Sequence, residues 1–370
     1  MKLFQSGLFC LFLFSNTELS AQSMRIPSSQ LLFLQRAPDA RSAAMGEAGV
    51  ALSADANATF WNASKLSFAE KDFGASVSYL PWLRKVVPEM WQGYGTAYKK
   101  LAKGQAMALS FNYMNNAEVD FPGYAFPQQL PPFEANQSAI SGTYSRQLGN
   151  NFSMGFTLKY IASRLTEDII LGNIEIRNAQ TMAGDLSAYY RKQLTNETTG
   201  KEVSWSLGAV LSNAGGKINY GAGTETDDFL PTTLKVGGGF SFTENGKHRF
   251  NFILDAIKLM VPTPQYASNV NNKPLLSGVL GSFTDAPGGF REEMQEVALA
   301  AGGEYWYKGV LALRGGYFGE NKNKGNLKYF TTGAGLRILK NYTADFACLF
   351  PVEQGSPLAQ TFRLTASVHL

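Results

Sequence analysis

The chain has 370 residues, of which 17% are charged and 13% aromatic, with 37 glycines and a formal net charge of +4. Ordinary soluble domains carry about 25% charged residues, so this profile points to a single membrane β-barrel rather than to two or three soluble domains in series. A net charge this small, scattered along the chain, gives no footing for a nucleic-acid partner.

In chain order, residues 1–21 read as a secretory signal. Lys2 precedes an apolar run over 3–14, and a polar end closes on Ser20 and Ala21, with cleavage expected after Ala21. Cys10 leaves with that signal, so Cys348 remains alone and no intramolecular disulfide forms. No later run approaches the roughly 18 apolar residues of a membrane helix, and the remaining way to span lipid is a closed barrel.

Residues 22–70 form an amino-terminal periplasmic or plug segment. Its central part, 38–68, is rich in Ala and Gly and has neither strand alternation nor the length of an ordinary helix. Asp39 is placed to cap a short helix over 40–45, and Gly46 to end it in the left-handed conformation. Asn62 is placed to cap a second turn over 63–66. Helices this short are marginal in water and need walls, which the rest of the chain must supply. The expected plug residues are Asp39, Arg41, Met45, Gly46, Trp61 and Asn62.

Residues 71–370 carry about fourteen segments of period-two alternation, each about 7 to 12 residues long, near the 9 to 11 that a tilted membrane strand needs. They run from 73–79 through segments such as 152–163 and 182–192 to 361–369. In one of them Phe152, Met154, Phe156, Leu158 and Tyr160 alternate with Ser153, Gly155, Thr157 and Lys159. A Lys or Arg at the lipid midplane costs about 2 to 4 kcal/mol, so Lys159, Asp185, Asp255 and Arg363 are expected to face the bore. A soluble sandwich would alternate too, but the connections favour the barrel. Short turns over 101–105, 147–151, 306–309 and 339–341 alternate with long loops over 114–137, 164–181, 212–233 and 257–296, the short-inside, long-outside pattern of outer-membrane barrels. The expected fold is all-β: a 14-stranded antiparallel transmembrane β-barrel, with a plug of short helices and loops in its lumen.

Little in the chain points to catalysis. His248, expected in a short turn, and His369 at the terminus lie far apart in this layout, so no Ser-His-Asp or His-based metal site assembles. The chain reads as no enzyme, without catalytic residue, cofactor or metal; a carboxylate-only site or a lipid deacylase built on loop residues stays open. Gly237 to Gly239, Gly302 with Gly303 and Gly315 with Gly316 lack phosphate-loop spacing, and read as places where strands bend or pass the plug. Glu225, Asp227 and Asp228 read as a solvated loop rather than a calcium site. Cys348 shares a face with Phe346 and Phe350, hence toward lipid. Tyr305, Trp306 and Tyr307 read as a periplasmic aromatic belt.

Two loops are unusually apolar. Residues 80–91 carry Trp82, Leu83, Val86, Val87, Met90 and Trp91; the Pro-rich loop over 114–137 carries Phe121, Tyr124, Phe126 and Phe133. Three readings stand level: partner contact through Trp82, Leu83, Val86, Phe121, Tyr124 and Phe126, an interfacial belt, or a lid folded onto the plug.

Residues 60–64, Phe-Trp-Asn-Ala-Ser, resemble the plug of the FadL-like outer-membrane family, which commonly carries Asn-Pro-Ala after an aromatic; here the Pro is missing. Segments over 37–41, 45–51, 79–84, 259–264, 282–290, 303–307, 313–317 and 324–330 carry a closer resemblance, in order and over nearly all of the mature chain, to the PorV family of the type IX secretion system of Bacteroidetes. The chain departs from that pattern at Ser42, Ala43 and Ala44, and at Leu370, where barrels often end in an aromatic. The resemblance implies a non-enzymatic barrel of the bacterial outer membrane, in contact with its lipids, with loops at the cell surface. The implied partners are the type IX translocon barrel, folded cargo proteins with carboxy-terminal signal domains, and the attachment complex that contains the sortase. The alternative it leaves is a FadL-like channel for hydrophobic small molecules.

Overall fold

The computed structural model describes residues 25–119, 133–165, 169–171, 174–196, 200–222, 227–265 and 270–370. The signal region, with Cys10, and Phe121, Tyr124, Phe126 and Glu225 lie outside them. Fourteen strands close into an antiparallel barrel in which each pairs with its neighbours in sequence and the last returns to the first. They are β1 (Phe73–Pro81), β2 (Trp91–Ala102), β3 (Gln105–Val119), β4 (Phe133–Gln147), β5 (Phe152–Arg164), β6 (Ala179–Asn196) and β7 (Lys201–Gly215). The second half supplies β8 (Thr233–Glu244), β9 (His248–Leu259), β10 (Val297–Tyr307), β11 (Leu311–Gly319), β12 (Lys328–Ile338), β13 (Tyr342–Pro351) and β14 (Phe362–His369). The seam runs from Gly74 opposite His369 to Tyr79 opposite Leu364, so no edge is left unpaired.

Alternation dictates the two faces. On β5, Met154, Phe156, Leu158 and Tyr160 are 44–48% exposed on the outer wall, whereas Ser153 and Thr157 are buried in the bore. Asp185, Asp255 and Arg363 are buried there as well, and Lys159 meets Asp185 at 2.8 Å. Phe346 and Phe350 face outward with half-buried Cys348 between them. Several strands outrun their alternating stretch. β6 extends over 18 residues, beyond the expected 182–192, because backbone pairing continues past the lipid boundary where no face must stay apolar.

The leading residues thread this cylinder. Lys324 Nζ holds the Arg25 carbonyl at 2.8 Å and Gln30 N donates to the Phe229 carbonyl, both at the long-loop end. The chain then passes down the bore through α1 (Ala40–Ala43), α2 (Ala58–Trp61) and a 3-10 helix at Ala63–Phe68, and reaches β1 at the short-turn end. The longest loop, between β9 and β10, contains two further helices, α3 (Leu275–Gly281) and α4 (Phe290–Gln295). Short strands at Ile169–Leu171, Ile174–Ile176 and Gly221–Ala222 form a small separate sheet.

Candidate functional site

The plug is held by caps that its own sequence supplies. Asp39 Oδ2 accepts from Ser42 N at 2.8 Å, capping α1, and Oδ1 accepts from the Trp61 indole at 2.5 Å. One side chain thus joins α1 to α2. Burial, with Asp55 adding to it, pushes the Asp39 carboxyl above its ordinary range. Asn62 accepts from Ser64 N at 3.2 Å, capping the 3-10 helix, while its Nδ2 donates to the carbonyls of Val50 and of Ala188 on β6. Lys65, fully buried, donates to the Gly49 carbonyl at 2.6 Å; burial lowers its pKa to about 8.

The wall offers the plug a seat of glycines and charges. Gly46 has φ +73, and its amide lies 2.1 Å from where a Cβ on Gly316 would stand; a Cβ on Gly302 would meet the Met45 carbonyl at 2.4 Å. Met45 itself packs into a core with Ala48, Leu52, Ile253 and Phe318. Outward-facing Gly303 and Gly315 have room to spare, so the doublets serve the plug through one member each. Asp255 on β9 accepts from Gly49 N and Val50 N at 2.7 and 2.9 Å. Arg363 on β14 donates to the Ala37 carbonyl and pairs with Glu47. Arg41 of α1 pairs with Asp55 and with Glu304 on β10, and Glu304 in turn pairs with Arg314, which reaches Asp345 at 2.7 Å.

Above the plug, toward the long loops, lies a cavity of about 380 Å³. Ile26, Trp82, Ile257, Phe318, Leu349 and Leu358 give it apolar walls, and its charged lining balances Arg36, Lys235 and Lys324 against Glu47, Glu296 and Glu320. Trp82 lies under the Arg36 guanidinium at 4.1 Å, and Leu83, at φ +48, packs against the core around Met45. These two residues fold inward as a lid does, while Val86 stays exposed. Trp91 sits on the outer wall between the rings of Tyr79 and Tyr113. Phe133 is buried under Arg164 at the start of β4.

Sequence reasoning missed the surface of the loop between β9 and β10. Leu276 and Leu280 on α3 and Phe290 and Met294 on α4 are 54–80% exposed. The loop beneath them is pinned. Lys258 pairs with Glu293 and Glu296 at 2.9 and 2.7 Å, and Lys324 pairs with Glu292 and Glu296 at 2.7 and 2.8 Å. The signal there to read was a short one: apolar residues four apart, Leu276 with Leu280 and Phe290 with Met294, in a loop otherwise known only by its length.

Other expectations resolve differently. Trp306 is no part of an outer belt: it is buried on the bore face, with Arg314 and Arg337 at 5.6 and 5.0 Å from its ring, because alternation sends it opposite to its neighbours. Tyr307 is on the outside. His248 begins β9 instead of sitting in a turn and hydrogen-bonds the Tyr305 hydroxyl. Asp227 and Asp228 accept from Asn219 and Asn271, tying loops together, and among the described residues no His, Cys, Asp and Glu gather as a metal site.

A closed lipid-faced cylinder with its own amino-terminal segment packed in the bore defines the class: a plugged outer-membrane β-barrel. Residues 19–266 match the family described as type IX secretion system protein PorV, and the chain belongs to that family. No curated protein matches the sequence. Among solved structures, the toluene transporter TodX of P. putida is similar at a TM-score of 0.52 and 10% identity, over 90% of this chain and 98% of that one. The Ralstonia pickettii toluene transporter TbuX (0.49, 10%, 92% and 100%) and a Pseudomonas aeruginosa FadL homologue (0.43, 11%, 90% and 99%) also match. The TodX likeness shows a shared fold. Fold and family together place this chain among the β-barrels of the bacterial outer membrane.

Proposed function

We propose that this barrel binds the type IX translocon and carries folded cargo with carboxy-terminal signal domains to the cell-surface attachment complex. Membership of the PorV family carries the reading. The geometry fits an adaptor: among the described residues the bore holds a plug tied to the wall at Glu304, Asp255 and Arg363, which argues against a folded protein passing through the barrel itself. The exposed leucines and aromatic of α3 and α4, on a loop stiffened by buried ion pairs, offer a firm apolar face to a partner at the outer side. Deletion is expected to strand folded cargo in the periplasm, and affinity capture of the intact barrel to bring the translocon with it. Normal cargo display in the deletion strain overturns the proposal.

The cavity above the plug favours a second reading, a channel for hydrophobic small molecules. It predicts that uptake of an apolar tracer across the outer membrane falls on deletion, while cargo display persists.

A further inference from the structure

The short-turn end of the bore opens into a second chamber, of about 160 Å³, that neither reading above uses. Its walls bring together seven cationic side chains and three carboxylates. Arg41 and Arg314 are paired with Asp55, Glu304 and Asp345, three carboxylates to two guanidinium groups. Among the described residues Arg191, Arg249, Arg337, Lys71 and Lys340 remain without an ion pair; Glu70 shares the chamber with them, and Glu202 shares the adjoining recess with Arg191 and Arg249.

Among the described residues none of the three arginines has a carboxylate partner, and two of them, Arg191 and Arg337, lie over aromatic rings instead. Arg191 lies 5.3 Å over Phe68 and Arg337 5.0 Å over Trp306, and Arg249 stands directly across the strand pair from Trp306. Behind them, Arg314 is 5% exposed and its Nη2 is buried without a hydrogen-bond partner among the described residues. Stacking on a ring face leaves the in-plane donors of a guanidinium free. Like charges collected beside a protein wall repel, and an anion set among them relieves that repulsion at each one. The rigid fork of arginine matches the oxygens of a phosphoryl group two at a time.

We propose that this periplasmic chamber is a binding site for a phosphoryl group, read by Arg249, Arg337 and Arg191 over a Trp306 floor. The group arrives either on a soluble ion or on the head of an anionic lipid. The site stands on these side chains alone and is independent of which transport role the barrel plays.

The test uses the full-length barrel in neutral detergent, titrated calorimetrically with pyrophosphate at constant ionic strength. Saturable binding is expected, weakened at least ten-fold in the Arg249→Gln/Arg337→Gln double variant and unchanged in Lys322→Gln, whose side chain lies at the far end. An unaltered heat-modifiable mobility on gels shows that the double variant is folded. In phosphatidylglycerol nanodiscs, weaker pyrophosphate binding than in phosphatidylcholine nanodiscs assigns the site to a lipid head group; equal binding assigns it to a soluble ion. Absence of saturable binding, or equal binding by the folded double variant, overturns the proposal.

Discussion

Arg41 of the plug and Glu304 of the wall meet in a two-pronged contact, Nε to Oε2 at 3.1 Å and Nη2 to Oε1 at 2.9 Å, with the Glu304 side chain fully buried. Glu304 also takes Arg314 Nε at 2.7 Å and Asn251 Nδ2 at 2.8 Å, so one carboxylate joins plug, β9, β10 and β11. Removing it leaves two guanidinium groups short of a partner. Breaking a buried pair from one side costs about 3 to 5 kcal/mol. Glu304→Gln is therefore expected to lower the barrel's unfolding midpoint and expose the plug to protease. Adding Arg41→Met to that variant should recover part of the loss, since one stranded charge goes; a plug as resistant in Glu304→Gln as in the parent shows that the contact does not hold it.

The glycine doublets make a sharper steric prediction. A methyl group on Gly316 would stand 2.1 Å from Gly46 N and 2.2 Å from the Met45 carbonyl carbon, whereas one on Gly315 meets nothing closer than 3.9 Å. Backbone on both sides cannot give way cheaply. Gly316→Ala is expected to displace the plug or prevent assembly, seen as lost heat-modifiability or new ion conductance in planar bilayers. Gly315→Ala, one residue away and facing lipid, is expected to behave as the parent.

The apolar face of α3 and α4 tests the proposed translocon contact. Replacing an anchoring apolar side chain at an interface typically costs about 2 kcal/mol, roughly thirty-fold in affinity. Leu276→Glu with Phe290→Glu is expected to abolish co-purification of the translocon while leaving the barrel folded, because both side chains are solvent-facing. Retained capture by this variant would place the contact elsewhere on the barrel.

Strand count and faces were legible because a wall between lipid and a polar bore imposes a two-residue period, as the split between Phe156 and Thr157 illustrates, and the rhythm of short and long connections told that wall from a soluble sandwich. The plug's caps were legible for a similar local reason: Asp39 and Asn62 act on amides three and two residues ahead. What the sequence hid was every relation across the bore. Nothing near Gly316 in the chain announces Gly46, and nothing near Trp306 announces Arg337, since barrel closure brings them together. Trp306 departs from the expected belt for a related reason: alternation splits the run of three aromatics between bore and outer wall. The helices at Leu276 and Phe290, seven and six residues long, are too short to stand out by period within a long loop.

Lys65 supplies a pH signature of the intact plug. Burial lowers its pKa from the usual 10.5 to about 8, partly offset by the nearby Asp55 charge. An unfolded chain keeps that proton up to about 10.5, so between pH 8 and 10.5 the unfolded state binds more protons and the folded state gains stability as pH rises. Below pH 8 both states hold the proton and the cost of the buried charge is paid in full. The difference in denaturation midpoint between the parent and Lys65→Met is therefore expected to be flat below pH 8 and to move in favour of the parent above it. Other titrating groups cancel in that difference. Parallel profiles from pH 7 to 10.5 would mean that the Lys65 ammonium is solvated, and that the plug does not seal around it as the 2.6 Å contact with Gly49 implies.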